Sequence, residues 1–299
     1  MPVSFPPALV RSLDLLRCPA CRTHRLSPGP RGTLRCPAGH AFDVARHGYA
    51  ALLTGVRATS GDDAGMVRAR ERFLTGGGYA PVRRAVAALA AGSRAGRADT
   101  VLDVGCGTGY YLAGVLDRLP GARGLGLDTS VRALRAAARA HERAAAAAWD
   151  VFRPLPLADA VVDVVLDVFA PRSPAEFHRV LRPTGRLVVV RPTERHLAEL
   201  RDRVPAMVAV DPGKERRLHR ALDPFFEAAD DERVEYRMAL GATEALDLVG
   251  MTPSARHVSR AALEGGGLLP GPVTVSVLAT AYRPRPRSRS RLTGRRSSI

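Results

Sequence analysis

Lysine, aromatic rings and cysteine are all scarce in this chain, and each scarcity narrows what it can be. Lys214 is the only lysine, so the excess of 45 basic over 29 acidic residues, net +16, is carried by arginine. Guanidinium groups pair with phosphate oxygens through two parallel hydrogen bonds, and a field of this sign draws polyanions. An Ala/Arg-rich composition also follows from a GC-rich genome, so the charge favours nucleic acid without proving it. Aromatics make up 5%, which leaves any base stacking to a few specific rings. No apolar run approaches the roughly 20 residues of a membrane span. The start, MPVSFPPALVRSLDLL, lacks the apolar run and cleavage site of a secretory signal. Four cysteines among 299 residues make no disulfide framework. Three of them share one short window, which suits a metal site in a reducing compartment. These absences together predict a cytoplasmic protein with no membrane partner.

Composition divides the chain into four regions. Residues 14–55 are rich in Cys, Gly, Pro and His and form a small module. Residues 56–80 form a helical linker, with its helix over Asp62 to Phe73. Residues 81–282 alternate helical and strand patterns, as a doubly wound sheet does. Residues 283–299 carry seven arginines and no apolar cluster, which predicts a disordered tail. Within the third region the patterns predict helices over Pro81–Ala91, Tyr110–Leu119 and Ser130–Arg143. Strands are predicted at TVLDV (100–104), GLGLD (124–128), the alanine run before Trp149, VVDVVLDVF (161–169), RLVVVRP (186–192) and VTVSVLATAYR (273–283).

Two residues lie between Cys18 and Cys21 and three between Cys36 and His40, with fourteen residues between the pairs. Two knuckles of this spacing supply the four tetrahedral ligands of a structural Zn2+. Gly39 relieves the turn before His40, and His24 is a rival fourth ligand. The arginines around the knuckles (Arg17, Arg22, Arg25, Arg31, Arg35, Arg46) suggest an arm that grips RNA, although solvated charge accounts for any one of them.

The segment VLDVGCGTGYY (101–111) holds the sharpest signal. A dinucleotide fingerprint, G-x-G-x-x-G, would need glycine where Tyr110 stands. The spacing is instead D-x-G-x-G-x-G on a strand–turn–helix frame, the pattern of class I S-adenosylmethionine (SAM) dependent methyltransferases. Gly105, Gly107 and Gly109 let the backbone approach a ligand closely. Asp103 would meet the cationic amino-acid end of that cofactor, and Asp128, ending the next strand, its ribose hydroxyls. Asp150 follows the third strand, where it would reach adenine or simply be an exposed turn aspartate. Cys106 reads as a packing residue. The expected fold is α/β, Rossmann-like, with a mostly parallel seven-stranded sheet and an N-terminal zinc-ribbon-like module.

With both motifs placed, the chain resembles the RlmA family of 23S rRNA guanine-N1 methyltransferases, and within it the tylosin-resistance branch. The likeness spans about residues 14–282. It is carried by CPAC…CPAGHAFDVARHGYAALL, MVRARERFLTGGGYAPVR, DVGCGTGYY, FAPR (169–172), RHLAEL and MTP (251–253). The resemblance implies a zinc module that helps seize an rRNA hairpin, a homodimer, and cofactor contacts at Tyr79, Gly107, Thr108 and His196. The tylosin branch further implies reduced macrolide binding. The residues alone would make Tyr79 a core aromatic and His196 a helix-face histidine.

No catalytic base is assigned. Asp167 is a weak candidate beside a structural role at the sheet end, and Phe169 and Pro171 either wall a base pocket or pack in the core. Two further readings stay open: a small-molecule SAM-dependent methyltransferase, and a zinc-dependent RNA-binding protein without catalysis.

Overall fold

The computed structural model describes residues 5–53, 61–92, 98–204, 207, 213–256 and 271–287. The chain begins with α1 (Pro7–Arg11) and a three-stranded antiparallel sheet, β1 (Ser27–Pro28), β2 (Thr33–Arg35) and β3 (Ala41–Asp43). Helices α2 (Ala64–Thr75) and α3 (Ala80–Ala91) follow. Then come β4 (Thr100–Val104), α4 (Tyr110–Arg118), β5 (Arg123–Asp128), α5 (Val131–Ala137), β6 (Ala144–Ala148), β7 (Val162–Val168), α6 (Pro174–Val180) and β8 (Leu181–Pro192). The chain closes with α7 (Ala198–Arg203), α8 (Lys214–Leu222), β9 (Phe226–Leu240), α9 (Ala242–Gly250) and β10 (Gly271–Pro284).

The main sheet has seven strands in the order β6-β5-β4-β7-β8-β10-β9. β4 to β8 run parallel, and β10 is antiparallel to both of its neighbours. The strand order reverses at β4, so its C-terminal end lies at the switch point where open α/β sheets bind ligands. This is the class I methyltransferase fold.

Alternation along each strand sorts side chains between two cores. Leu102, Leu125 and Leu127 join one core, and Val101, Val164 and Val188 the other. On β5 the intervening Gly124 and Gly126 leave room for α4 and the loop before it: a Cβ on Gly124 would sit 2.8 Å from Leu112 Cδ1. The zinc-ribbon-like module packs into the same core as Leu102, because Leu9, Leu16, Leu26, Leu34 and Phe42 are contiguous with it. The segment leaving the module also caps the sheet edge. Ala50 N donates to Ala146 O at 2.9 Å, and Ala148 N donates to Ala50 O at 2.8 Å. Covering β6 in this way removes an exposed edge.

The structure departs from the sequence expectations at several points. The helix expected to run to Arg143 ends at Ala137. There the chain turns so that Arg143 can donate to the carbonyls of Leu116 (2.6 Å), Leu119 (2.8 Å) and Ala122 at the end of α4. The linker helix lies close to its expected place, with Asp63 Oδ1 accepting from Gly65 N and Met66 N as its N-cap. It is no mere connector, since Met66, Val67, Phe73 and Leu74 are buried and Arg72 clamps Asp247 of α9 with two hydrogen bonds. The expected disordered tail begins too early. Arg283 and Pro284 pair with Glu227 and Phe226, Arg285 donates to Asp223 O at 2.8 Å, and Arg287 donates to Arg179 O at 2.7 Å. Residues 288–299 lie outside the described residues.

Arg143 satisfies carbonyls that a helix end otherwise leaves open. Arg143→Met should therefore lower stability by about 1–3 kcal/mol, read as an earlier midpoint in urea unfolding with an unchanged slope.

Candidate functional site: the glycine loop, a ring cluster and a Cys/His knuckle

After Asp103 and Val104 the chain bends through Gly105 (φ +75°) and Gly107 (φ +52°), both in the left-handed region. At Gly105 a side chain is also sterically barred, because its Cβ would lie 2.6 Å from Ala170 Cβ. The bend is tied to the neighbouring strand: Gly105 N and Cys106 N both donate to Leu127 O, at 2.8 and 3.0 Å. Asp128 then holds the loop from the other side, accepting from Gly107 N at 2.8 Å and from Ser130 N at 2.7 Å. One carboxylate thus joins the glycine loop to the start of α5, and its remaining lone pairs can accept from a diol.

Asp103 is 1% exposed, and its Oδ2 has no hydrogen-bond partner among the described residues. Burial, then the nearby carboxylates of Asp128 and Asp167, push its pKa up to about 8 from an ordinary 3.8. A backbone hydrogen bond from Leu112 offsets this only in part. A ligand bearing a positive charge, such as the amino-acid end of SAM, is the natural complement of this orphaned acid. The residues present fit that cofactor.

The roof of the loop comes from a helix, α2, on which the sequence marked no site residue. Arg70 on α2 donates to Asp62 Oδ2 and to Met251 O, both at 2.8 Å, and its Cδ would be 3.7 Å from a Cβ on Gly107. Ser130 Oγ donates to Asp62 O at 2.6 Å. The only sequence signal for Arg70 was its place in MVRARERF. Thr108 is buried within the loop, while Gly109 (φ +81°) packs against Ala137 and Ala140.

Beside this loop stands a cluster of rings. Tyr79 is buried, with its ring 5.2 Å from Phe73, 6.1 Å from Phe169 and 6.1 Å from His196. Phe169 stacks on His196 at 6.1 Å and meets Tyr111 at 6.4 Å. Phe169 is not a core residue: it is 38% exposed and held at φ +56°, a strained conformation for a bulky side chain. It directly precedes Ala170, the residue packed against Gly105, so rings and glycine loop share one end of the sheet.

The hydrogen bonds fix the state of His196. Ser276 N donates to Nδ1 at 3.2 Å, so the ring proton sits on Nε2, which faces Tyr79 Oη at 3.2 Å. Burial, then Arg201, holds the imidazole pKa down at about 4, so it is neutral at physiological pH. The Tyr79 oxygen accepts from this N–H and keeps its own proton to donate. Burial raises the Tyr79 pKa, so the hydroxyl stays protonated.

Asp167, Asp150 and Cys106 are each engaged by their own surroundings. Asp167 is 0% exposed and pairs with Arg172 Nε at 3.0 Å. That pair braces the Phe169–Arg172 loop and turns Asp167 away from the role of base and toward the structural alternative. Asp150 Oδ1 accepts from Phe152 N at 3.0 Å in a local turn. Cys106 is buried, its thiol pKa raised well above its ordinary value by burial, which leaves it inert.

In the N-terminal module, ligand atoms of Cys18, Cys21, Cys36 and His40 all lie within 4.8 Å of one another. Paired turns bring them together: Arg22 N donates to Cys18 O at 2.7 Å, and Gly39 N, at φ +86°, lies 3.0 Å from Cys36 O. Cys36 Sγ is 3.3 Å from His40 Nδ1. A backbone group of His24 lowers the Cys21 thiol pKa to about 5. The imidazole of His24 stays exposed outside the cluster, which leaves His40 as the fourth donor. Three sulfurs and one nitrogen at this spacing suit Zn2+ with no open position.

A family model for a methyltransferase domain matches residues 101–185, and one for the N-terminal part of RlmA matches residues 16–56. A protein of Micromonospora griseorubida, assigned as a 23S rRNA (guanine-N1)-methyltransferase, is 48% identical over 290 residues, covering 91% of this chain and 98% of its own. The 23S rRNA (guanine(748)-N(1))-methyltransferase of Streptomyces fradiae is 44% identical over 277 residues, covering 90% and 96%. The chain belongs to the RlmA family of 23S rRNA guanine-N1 methyltransferases. As a member of the RlmA family it is a SAM-dependent methyltransferase with a zinc ribbon whose Cys3His cluster can bind the metal.

The raised Asp103 pKa links cofactor binding to pH. A cationic ligand needs the carboxylate, so SAM affinity should weaken as pH falls below about 8, by up to about tenfold per pH unit. Proton release measured by calorimetry in two buffers checks this. The folded acid holds its proton more tightly than the unfolded one, so raising pH from about 4 to 8 costs the cofactor-free fold stability. Asp103→Asn should remove that cost, raising Tm at pH 8 while weakening SAM binding by about tenfold or more.

Proposed function

We propose that the protein transfers a methyl group from SAM to N1 of a guanine in a 23S rRNA hairpin. One geometric observation carries the reading: the outward ring of Phe169 and the cation-seeking acid Asp103 meet at the same sheet end. A flat acceptor and a cationic donor are thereby brought to one place. The relatives' names supply the acceptor class, and the net charge of +16 suits a polyanion.

In this reading Asp103 neutralises the amino-acid end of the cofactor, while the backbone of Gly105, Gly107, Thr108 and Gly109 lies along it. Asp128 accepts from the ribose, Asp150 faces adenine, and Tyr79 and His196 line the methionine end. When bound, the sulfonium supplies an electrophilic methyl, so catalysis is mainly alignment of the acceptor. Phe169 supplies a face for a base withdrawn from its stack. His196 orients Tyr79 and is itself no base, because both of its nitrogens are engaged. Asp167 is sealed behind Arg172. The guanine N1 proton therefore leaves to solvent at the open side of the ring cluster. Cys18, Cys21, Cys36 and His40 hold Zn2+ as a structural ion. The resemblance to the tylosin-resistance branch extends this proposal to protection against tylosin-type macrolides by a cytoplasmic homodimer.

Methylated N1 blocks the Watson–Crick edge, so primer extension on 23S rRNA treated with protein and SAM should stop at one guanine. No stop on rRNA, or transfer to a small acceptor without RNA, overturns the reading. Phe169→Ala should weaken the stop by about five- to 150-fold, the loss of one base stack of about 1–3 kcal/mol. The calorimetric SAM signal should be unchanged.

A further inference from the structure

A cleft of 630 Å³ lies where the first knuckle meets the catalytic sheet, away from the glycine loop, with Arg17, Arg22, Trp149, Arg153, Glu176 and Arg179 in its wall. Its charges do not cancel. Glu176 is spent on Arg179, at 2.7 and 2.8 Å, and on Leu155 N at 2.6 Å. Arg17 is held by the carbonyls of Leu16 and Asp14 at 3.0 and 3.3 Å and has no carboxylate partner among the described residues. The guanidinium groups of Arg22 and Arg153 have no partner among the described residues. Arg22 is exposed and Arg153 half-buried. Trp149 is 6% exposed, and its indole N–H, buried in the same wall, also lacks an acceptor. Every unsatisfied group here is a donor, so the matching ligand is an acceptor-rich anion. The volume suits a nucleotide rather than a lone phosphate. Phe152, one residue before Arg153, is 70% exposed and offers a ring to the base that accompanies such a phosphate.

We propose that this cleft seats one phosphate-bearing nucleotide of the RNA, remote from the methylated guanine, and so locks the zinc ribbon and catalytic sheet onto one RNA segment. The proposal rests on the rRNA reading above. Arg22 and Arg153 grip the phosphate from opposite banks, one from the knuckle and one from the sheet, and Phe152 stacks the base.

Trp149 is the only tryptophan in the chain, so once the neighbouring cofactor site is saturated its fluorescence reports on this cleft. The test titrates zinc-loaded full-length protein, saturated with S-adenosylhomocysteine, with a dye-labelled 23S rRNA hairpin. Anisotropy reads RNA binding while Trp149 emission reads the cleft. The two signals should saturate together. Arg153→Gln and Phe152→Ala should each weaken RNA binding about tenfold. Arg153→Gln should also reduce the slope of log affinity against log salt by about one, the loss of one phosphate contact. Arg22→Gln should do the same with its zinc content intact. RNA binding with silent Trp149 emission, or Arg153→Gln with unchanged affinity and salt slope, overturns the cleft and leaves the methyltransferase reading standing. Saturation of the emission by free guanosine 5′-monophosphate, with no response to RNA, also overturns it. Failure of the wild type to bind RNA at all sinks the rRNA reading and this proposal with it.

Discussion

The site depends on one uncompensated acid: the carboxyl of Asp103, buried at the end of β4 with an oxygen that has no hydrogen-bond partner among the described residues. Two more carboxylates lie near enough to disfavour its ionisation, and each has its own tether. Asp128 is held by the backbone of the glycine loop and of α5, and Asp167 by Arg172. Only Asp103 is left to seek a cation from outside. The cofactor's charge then stabilises the site as well as occupying it, because binding converts a strained acid into a paired carboxylate. Strain recurs nearby in the left-handed backbone of Phe169, as expected where a ring is held outward for a ligand.

The zinc ribbon is part of this architecture rather than an appendage. Its apolar residues share a core with the central strands, and its exit segment completes the edge of β6 through Ala50. Arg123 of β5 reaches back to both oxygens of Asp14, at 2.8 and 2.7 Å. The module is thereby tied to β5, the strand that ends in Asp128. A zinc ribbon and a cofactor loop joined in this way have a common frame, and in the proposed reading an RNA touching both is held in a fixed orientation.

Much of this was readable in the sequence, because the decisive residues are local in the chain. The D-x-G-x-G-x-G turn sits on one strand–turn–helix unit, and the two knuckles on two short turns. β9 was not readable: its Glu, Asp and Arg residues look like a solvated loop, although Val234, Tyr236, Met238 and Leu240 keep a period of two. It is an edge strand, where charge on the outer face is expected. The alanines of β6 gave little strand signal, since their pairing comes from β5 and Ala50 rather than from propensity. Arg70 and the Tyr79–His196 pair were beyond local inspection. Their partners lie up to 181 residues away, and only the folded sheet ends bring them together.

The central claim is that Asp103 waits for a cationic ligand beneath the glycine loop. A crystal structure with S-adenosylhomocysteine tests it most directly. The account predicts the ligand's ammonium group within hydrogen-bonding reach of Asp103, directly or through one water, with its ribose on Asp128. A ligand seated elsewhere, or Asp103 still without a partner when the ligand is bound, would contradict it.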